Sequence, residues 1–177
     1  MTSTEHAQQT DTEGTSTAER PDGFAQVMGF SVRVAGRVPT RVDLQHAGTP
    51  ECQLGLSLGT VLVYLSSHYT AQIIAGSWAS AAPVAASLVP QLPGRRRGAV
   101  LSSGPWSVAA MVRMNGTPSI TGGLIAGCPG SEVPAMLRLR VGPITWDPCD
   151  AAAYTTTLAA WRKAAALLAA VDEIERS

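Results

Sequence analysis

Few side chains in this sequence have the type and spacing that catalysis or metal binding requires. His46 and His68 are the only histidines after position 23, and no second His, Cys or carboxylate accompanies either one at a spacing typical of metal ligands. Between positions 24 and 146 the chain has only three acids, Asp43, Glu51 and Glu132. This scarcity of acid–base groups predicts a protein that is not an enzyme and that has no catalytic residue, metal site or cofactor.

The three cysteines, Cys52, Cys128 and Cys149, are far apart and odd in number, so they predict no disulfide framework. Cys149 is expected in the first turn of a helix, where the helix dipole lowers a thiol pKa. Asp147 and Asp150 flank it and oppose thiolate formation, so we expect a packed side chain. The unpaired cysteines predict a cytoplasmic location. The segment 1–23, which contains no Val, Leu, Ile or aromatic residue, predicts no secretory signal.

Two short patterns fall short of a chemical motif. The serines at positions 66 and 67 stand beside His68, but a catalytic triad is an arrangement in space and adjacency in sequence does not establish one. The glycines at positions 122, 123 and 127 match neither the dinucleotide-binding nor the phosphate-loop pattern. They indicate a bulged strand or a loop.

Arginines are the most promising functional feature of the sequence. Arg33, Arg37 and Arg41 share one parity and predict one cationic strand face, while Arg138 and Arg140 predict another. The candidate surface for an anionic partner comprises Arg33, Arg37, Arg41, Arg95, Arg96, Arg97, Arg138 and Arg140. Nucleic acid is therefore an alternative partner, although no aromatic residue interleaves with these arginines as single-strand binding sheets require. The simpler interpretation is a solvated face that protects the sheet.

The net charge of zero conceals two unlike segments. Residues 1–23 carry five acids against one arginine and are rich in Thr, Ser, Glu and Gln, which predicts a disordered acidic tail. The body, residues 24–177, carries a charge of +4 and has the length of a single globular domain. A charge this small is far below that of a typical nucleic-acid-binding domain.

Residues 53–92 contain no Asp, Glu, Lys or Arg, and the stretch 71–92 is long enough to cross a bilayer. The run at 95–97 supplies a cationic flank of the kind that orients membrane helices. However, two glutamines, three serines and two prolines interrupt the stretch 71–92, and much of its apolar content is alanine. A buried helix is the favoured interpretation, and membrane association through residues 53–92 is the alternative.

An internal repeat appears when the second half of the chain is aligned with the first. Residues 54–61 then align without a gap with residues 137–144, and the matched markers are Gly59 with Gly142 and Trp78 with Trp161. The repeat predicts two units, residues 24–94 and 95–177.

Each unit is predicted to end as strand, glycine turn, strand and helix. In the first unit these are strands over 53–58 and 60–65 and a helix over 69–88 that Pro83 kinks or ends. In the second, the alternation from position 137 to 141 predicts a strand, and a long helix reaches about position 174, with Asp147 as its N-cap. Upstream of each pair we predict a hairpin, one turning at residues 35–37 and one at Asn115-Gly116.

The sequence therefore predicts an α+β protein made of two fused β-rich repeats, each ββββα, related by a pseudo-twofold axis. The predicted function is a non-catalytic protein-binding or assembly module, with a protein partner or self-association. The alternatives are an arginine-faced nucleic-acid-associated protein and a membrane-associated protein.

Overall fold

The computed structural model describes residues 29–49, 51–94, 97, 108–130 and 133–175. It is a mixed α+β structure with two four-stranded sheets and a long C-terminal helix. The strands are β1 (Phe30–Val34), β2 (Thr40–Gln45), β3 (Gln53–Leu58), β4 (Val61–Leu65), β5 (Ala110–Met114), β6 (Ile120–Ile125), β7 (Met136–Val141) and β8 (Ile144–Pro148). The helices are α1 (His68–Ser80), α2 (Ala82–Ala85) and α3 (Ala151–Glu175). The predicted tail, residues 1–23, lies outside the described residues.

The two sheets are built from strands that are distant in the sequence. Sheet A has the order β1-β8-β7-β6, and sheet B has the order β2-β3-β4-β5. Strands β6, β7 and β8 form an antiparallel meander, as do β2, β3 and β4. The remaining strand of each sheet joins in parallel: β1 pairs with β8, and β5 pairs with β4.

The predicted hairpins are therefore wrong. The turns occur where we expected them, and Gly36 and Gly116 both have a positive φ, 74° and 76°. The strands that flank each turn do not pair with each other, because β1 and β2 enter different sheets, as do β5 and β6. A turn signal reports only a local reversal or bend of the chain, and parallel pairing to a distant strand satisfies the backbone hydrogen bonds equally well.

The alternation of apolar and polar residues gives each central strand one buried face. In β7 the buried Leu137, Leu139 and Val141 alternate with the exposed Arg138 and Arg140. In β4 all three odd-numbered residues from 61 to 65 are buried. The inner faces of both sheets contribute to a single apolar cluster.

Aromatic side chains join sheet A to the helices inside this cluster. The rings of Trp78 on α1 and Trp146 on β8 meet edge to face with centroids 6.2 Å apart. The ring of Tyr154 on α3 stacks on Trp78 at 6.0 Å, and its hydroxyl donates to the Trp78 carbonyl oxygen at 2.6 Å. Such contacts fix the relative positions of the three elements more strictly than aliphatic burial does.

The helices differ in length because Pro83 interrupts the first one. The chain leaves the helix at Ala81, and Pro83 lies in the first turn of the four-residue α2, where its missing N–H costs nothing. α3 has no such interruption and continues for 25 residues, packing on α1 and on strands β2 and β3. Among the described residues, no helix combines the length and apolarity that crossing a bilayer requires.

Asp150 is the polar centre of the fold. It is fully buried, and its carboxyl group accepts hydrogen bonds from the backbone N–H groups of Gly36 at 2.8 and 3.0 Å, Leu92 at 2.9 Å and Ala153 at 2.8 Å. The bond to Ala153 caps the start of α3, so the prediction of Asp147 as N-cap is wrong. Strand β8 continues through Pro148, because its pairing with β1 outweighs the helix-start signal of Asp147-Pro148.

Replacing Asp150 with alanine removes the acceptor of three backbone N–H groups and leaves them buried without a partner. We expect the Asp150→Ala variant to lose about 2–4 kcal/mol of unfolding free energy, measured by urea denaturation. The control is Asp43→Ala, which breaks an exposed ion pair with Arg41 and should cost less than about 0.5 kcal/mol. Equal losses in the two variants would contradict the role of Asp150.

Candidate functional site

β6 is an edge strand of sheet A and carries no charged residue. The other three edge strands all carry charges: Arg33 in β1, Arg41 and Asp43 in β2, and Arg113 in β5. Charges on edge strands discourage pairing with a foreign strand. Of the four edges among the described strands, β6 is therefore the one that lacks this protection.

The backbone of β6 offers hydrogen-bonding groups on its open side. The Gly142 N–H donates to the Ser119 carbonyl oxygen at 2.9 Å, which makes this opposed pair a hydrogen-bonded one. In antiparallel sheets hydrogen-bonded and non-hydrogen-bonded pairs alternate. The backbone groups of Ile120, Gly122 and Leu124 therefore point away from β7, toward the open edge.

A cavity of about 260 Å³ lies on the inner side of this edge. It separates β6 and β7 from the end of α1 and from α2, and Ser77, Ser80 and Val84 line it on the helical side. On the strand side it is lined by Gly122 and Leu139 among others. Polar and apolar groups contribute about equally to its surface.

The cavity exists because α1 is short. α3 continues for 25 residues and packs on β2 and β3, whereas α1 ends at Ser80 and the short α2 packs on β6. Two side chains are left partly uncovered as a result: Leu124 is 46% exposed and Val84 is 37% exposed. The break at Pro83 thus leaves a groove beside the edge strand.

A second cavity, of about 490 Å³, lies on the outer side of the same edge. Arg140, Thr121, Thr145 and Ser31 line it, together with Arg138. Leu124 and Ile125 line it as well, so cationic, polar and apolar groups share this surface. β6 is thus accessible from both faces of the sheet.

Arg138 is already engaged on this outer face. Its Nε and Nη2 atoms donate to the two carboxylate oxygens of Asp147 at 2.8 and 2.7 Å. These hydrogen bonds raise the pKa of Arg138. Because Asp147 lies on β8, the guanidinium of Arg138 is directed away from β6, whereas the Nε of Arg140 lies 3.4 Å from the Gly142 carbonyl oxygen at the end of β7.

The structure brings together only part of the predicted arginine surface. Arg33 lies on β1, opposite Asp147, and so shares the outer face of sheet A with Arg138 and Arg140. Arg41 lies on sheet B, where its Nε is 2.8 Å from the carboxylate of Asp43.

The remaining predicted arginines lie elsewhere. Arg37 is in the segment between the sheets and lines a different cavity with Pro90 and Thr155. Arg97 lies beside Gly36, where an added Cβ would come within 2.7 Å of its Nη1 atom. Arg95 and Arg96 lie outside the described residues.

His68 does meet a carboxylate: its Nδ1 atom contacts the Oδ2 atom of Asp172 on α3. Neither cavity beside β6 includes these two residues. The neighbouring Ser66 hydroxyl donates to Asn115 Oδ1 at 3.1 Å instead of to the imidazole. The contact joins the start of α1 to the end of α3, and no group of three or more His, Cys, Asp or Glu side chains among the described residues could hold a metal ion.

Cys149 lies between β8 and α3 and is fully buried. The pKa of its thiol is raised to about 11, chiefly by burial; Arg33 lowers it, and the nearby Asp147 and Asp150 contribute smaller increases. Its Sγ–H donates to the Asp147 carbonyl oxygen at 3.5 Å. The packed side chain expected from the sequence is what the structure shows.

The open edge itself is the feature that sequence reasoning missed. The run Ile120 to Ile125 has two glycines and no charge, a pattern that indicates a bulged strand or a loop when it is considered alone. A signal was present, since a charge-free strand of this length is unusual at an edge. Recognising it required knowing which strands end the sheets.

The two glycines of β6 should respond differently to substitution. A Cβ on Gly122 would lie 2.6 Å from the Arg138 carbonyl oxygen and 2.6 Å from a Leu139 methyl, whereas a Cβ on Gly123 would meet nothing within 4 Å. We expect Gly122→Ala to cost about 1–3 kcal/mol of unfolding free energy and Gly123→Ala to change it by less than about 0.5 kcal/mol. Urea denaturation measures both, and equal effects would contradict the assigned register.

Cys149 should resist thiol reagents in the folded protein. With its pKa at about 11, only about one molecule in a thousand carries the thiolate at pH 8, and burial excludes the reagent as well. We expect an aromatic disulfide reagent to modify the exposed Cys128 within minutes, and Cys149 only after denaturation. Mass spectrometry of digested peptides identifies the site. Prompt modification of Cys149 in native protein would show that this region opens.

Comparison of the chain with protein-family models, with curated protein sequences and with solved structures finds no match. No relative therefore lends this chain a function. Its function has to be argued from the β6 edge and the two cavities that flank it.

Proposed function

We propose that this protein is a non-catalytic protein-binding or assembly module, built as an internal pseudo-dimer, that binds an extended polypeptide strand along the open edge of β6. The observation that carries the proposal is the charge-free edge of β6 with a cavity on either side of it. An added strand gains main-chain hydrogen bonds from the edge, and flanking pockets select its alternate side chains.

The spacing of the elements supports an internal pseudo-dimer. The same offset in sequence separates the starts of β3 and β7, of β4 and β8, and of α1 and α3. Gly59 and Gly142 occupy equivalent turns with φ of 62° and 55°. Trp78 and Trp161 are both fully buried. In this arrangement each unit contributes its first strand to the sheet of the other.

The pseudo-dimer explains why only one side binds. The equivalent of β6 in the first unit is β2, and α3 packs over β2. The first unit has no helix of matching length, because Pro83 ends α1 early, and so no long helix of the described part of the chain packs over β6. A duplicated fold with one shortened helix thus has one binding edge instead of two.

The two cavities indicate which segment would bind. The inner groove has Val84, Ile120 and Leu139 in its lining and so accommodates apolar side chains. The outer face beside Arg140, with its neighbouring threonines, suits small polar or acidic side chains. Successive residues of a strand point to opposite faces, so the expected ligand alternates apolar residues with small polar or acidic ones.

Two features make nucleic acid the weaker candidate. Carboxylates already pair with Arg41 and Arg138, which reduces the free positive charge on each sheet. The outer face of sheet A also presents no aromatic side chain among its described residues for a base to stack on.

A peptide library displayed on phage tests the proposal. We expect selection on the immobilised protein to yield 8- to 12-residue peptides with an apolar/polar alternation. Their binding, measured by fluorescence anisotropy, should weaken at least tenfold in Gly123→Lys, because the lysine places a charge on the edge strand without a steric clash in the free protein.

The matched control is Met111→Lys, which places the same charge on the exposed outer face of edge strand β5. Peptide affinity should be unchanged in this variant. Peptides that bind the Gly123→Lys variant as tightly as the wild type, or a selection on monomeric protein that yields no binder, would contradict strand addition at β6.

A further inference from the structure

We propose that the strand which covers β6 is the β6 of a second copy of this chain, so that two copies of sheet A join into one eight-stranded sheet with an antiparallel junction. This inference rests on the proposed function, because it names the partner of the same edge. The observation that carries it is the self-complementary order of residues along β6.

Symmetry restricts how two copies of β6 can pair. A twofold axis perpendicular to a sheet makes the two strands antiparallel and keeps each side chain on its own face, so opposed residues must have the same parity. The outward backbone groups belong to Ile120, Gly122 and Leu124. With the axis at Gly122, that residue opposes its own copy, and Ile120 opposes Leu124 of the partner subunit.

This register uses every outward backbone group of β6. The three opposed pairs on the inner face each exchange two hydrogen bonds, giving about six across the junction. Both inner side chains beside the axis are apolar, and Leu124, now 46% exposed, would pack on the partner's Ile120. On the outer face Thr121 opposes Gly123 of the partner subunit, which is a pair small enough to avoid any clash.

Gly122 suits a position on the twofold axis. It presents no side chain there, and a Cβ is already excluded within one copy by the Arg138 carbonyl oxygen at 2.6 Å. Two copies can therefore approach at the normal spacing of strands. Glycine at position 122 is therefore required both by the fold of one copy and by the junction between two copies.

The arginines of sheet A do not oppose this pairing. Arg138 bonds to Asp147 on the side of β7 away from β6, and Arg140 is separated from the junction by β6 itself. Arg138 of one copy and Arg140 of the partner subunit lie in line across the joined sheet. Three strand spacings, about 14 Å, separate them. This exceeds the Debye length of about 8 Å at physiological ionic strength, so the repulsion is small.

Paired cysteines test the register directly. The double variant Thr121→Cys/Gly123→Cys is made in a background with Cys128→Ser. In the dimer, the thiol at position 121 of each copy then lies opposite the thiol at position 123 of the other copy, which gives two opposed pairs across the junction. Opposed residues in a non-hydrogen-bonded pair lie about 4.5 Å apart between Cα atoms, within the range that a disulfide spans. We expect mild oxidation in glutathione buffer to convert most of the double variant into a covalent dimer on non-reducing gels.

The single variants are the matched controls. Residues at position 121 of the two copies are offset by two positions, about 8 Å apart, which is too far for a disulfide, and the same holds for position 123. Thr121→Cys and Gly123→Cys alone, and Met111→Cys on the β5 edge, should each remain monomeric on these gels. A single variant that crosslinks as well as the double variant would overturn the register.

Sedimentation velocity separates this inference from the proposed function. We expect wild-type protein to shift from monomer to dimer as its concentration rises from 1 to 200 µM. Gly123→Lys should weaken the association at least tenfold, and Met111→Lys should leave it unchanged. A wild type that stays monomeric yet binds selected peptides at β6 would overturn the dimer and leave strand addition intact. If neither copies nor peptides bind at β6, both proposals fail.

Discussion

The parallel pairing of β1 with β8 and of β4 with β5 joins the two halves of the chain into one core. It joins strands that are far apart in the sequence, so neither sheet is complete until segments from both halves of the chain are in place. The same crossing brings the inner faces of both sheets into one apolar cluster with α1 and α3. Asp150 stabilises this arrangement of the chain. Its carboxyl group accepts hydrogen bonds from backbone N–H groups in the segment after β1, in the segment after α2 and at the start of α3.

This architecture creates four sheet edges, which differ in how they are protected against pairing with a foreign strand. Three edge strands carry charged residues, and α3 also packs over β2. β6 carries no charged residue, and no long helix packs over it among the described residues, because α1 ends before Pro83. The functional feature of the molecule is thus a consequence of where one helix stops. Among the described residues, Arg138 and Arg140 line the outer cavity and no arginine lines the inner one, so the two sides of the edge differ in charge.

The sequence predicted the local elements better than their partners. The alternation in β7 and the long C-terminal helix were both confirmed, because the pattern of burial dictates them. The hairpins were wrong because a glycine turn such as the one at Gly116 specifies how the chain bends and leaves open which strand it joins. For the site, the sequence located Arg138 and Arg140 correctly on a strand face, but it gave no sign that Asp147 would bind Arg138. The open edge depends on sheet order, which no local pattern encodes.

Amide hydrogen exchange resolved by residue is the measurement that tests the central claim, which is that β6 presents unpaired backbone groups that another strand covers. In dilute monomer we expect the amides of Ile120, Gly122 and Leu124 to exchange at least tenfold faster than those of Thr121 and Gly123, which bond to β7. In the bound state the amides of Ile120, Gly122 and Leu124 should exchange as slowly as those of Thr121 and Gly123. Slow exchange of all five amides in the monomer, or binding that leaves the exchange of Ile120, Gly122 and Leu124 unchanged, would contradict the account.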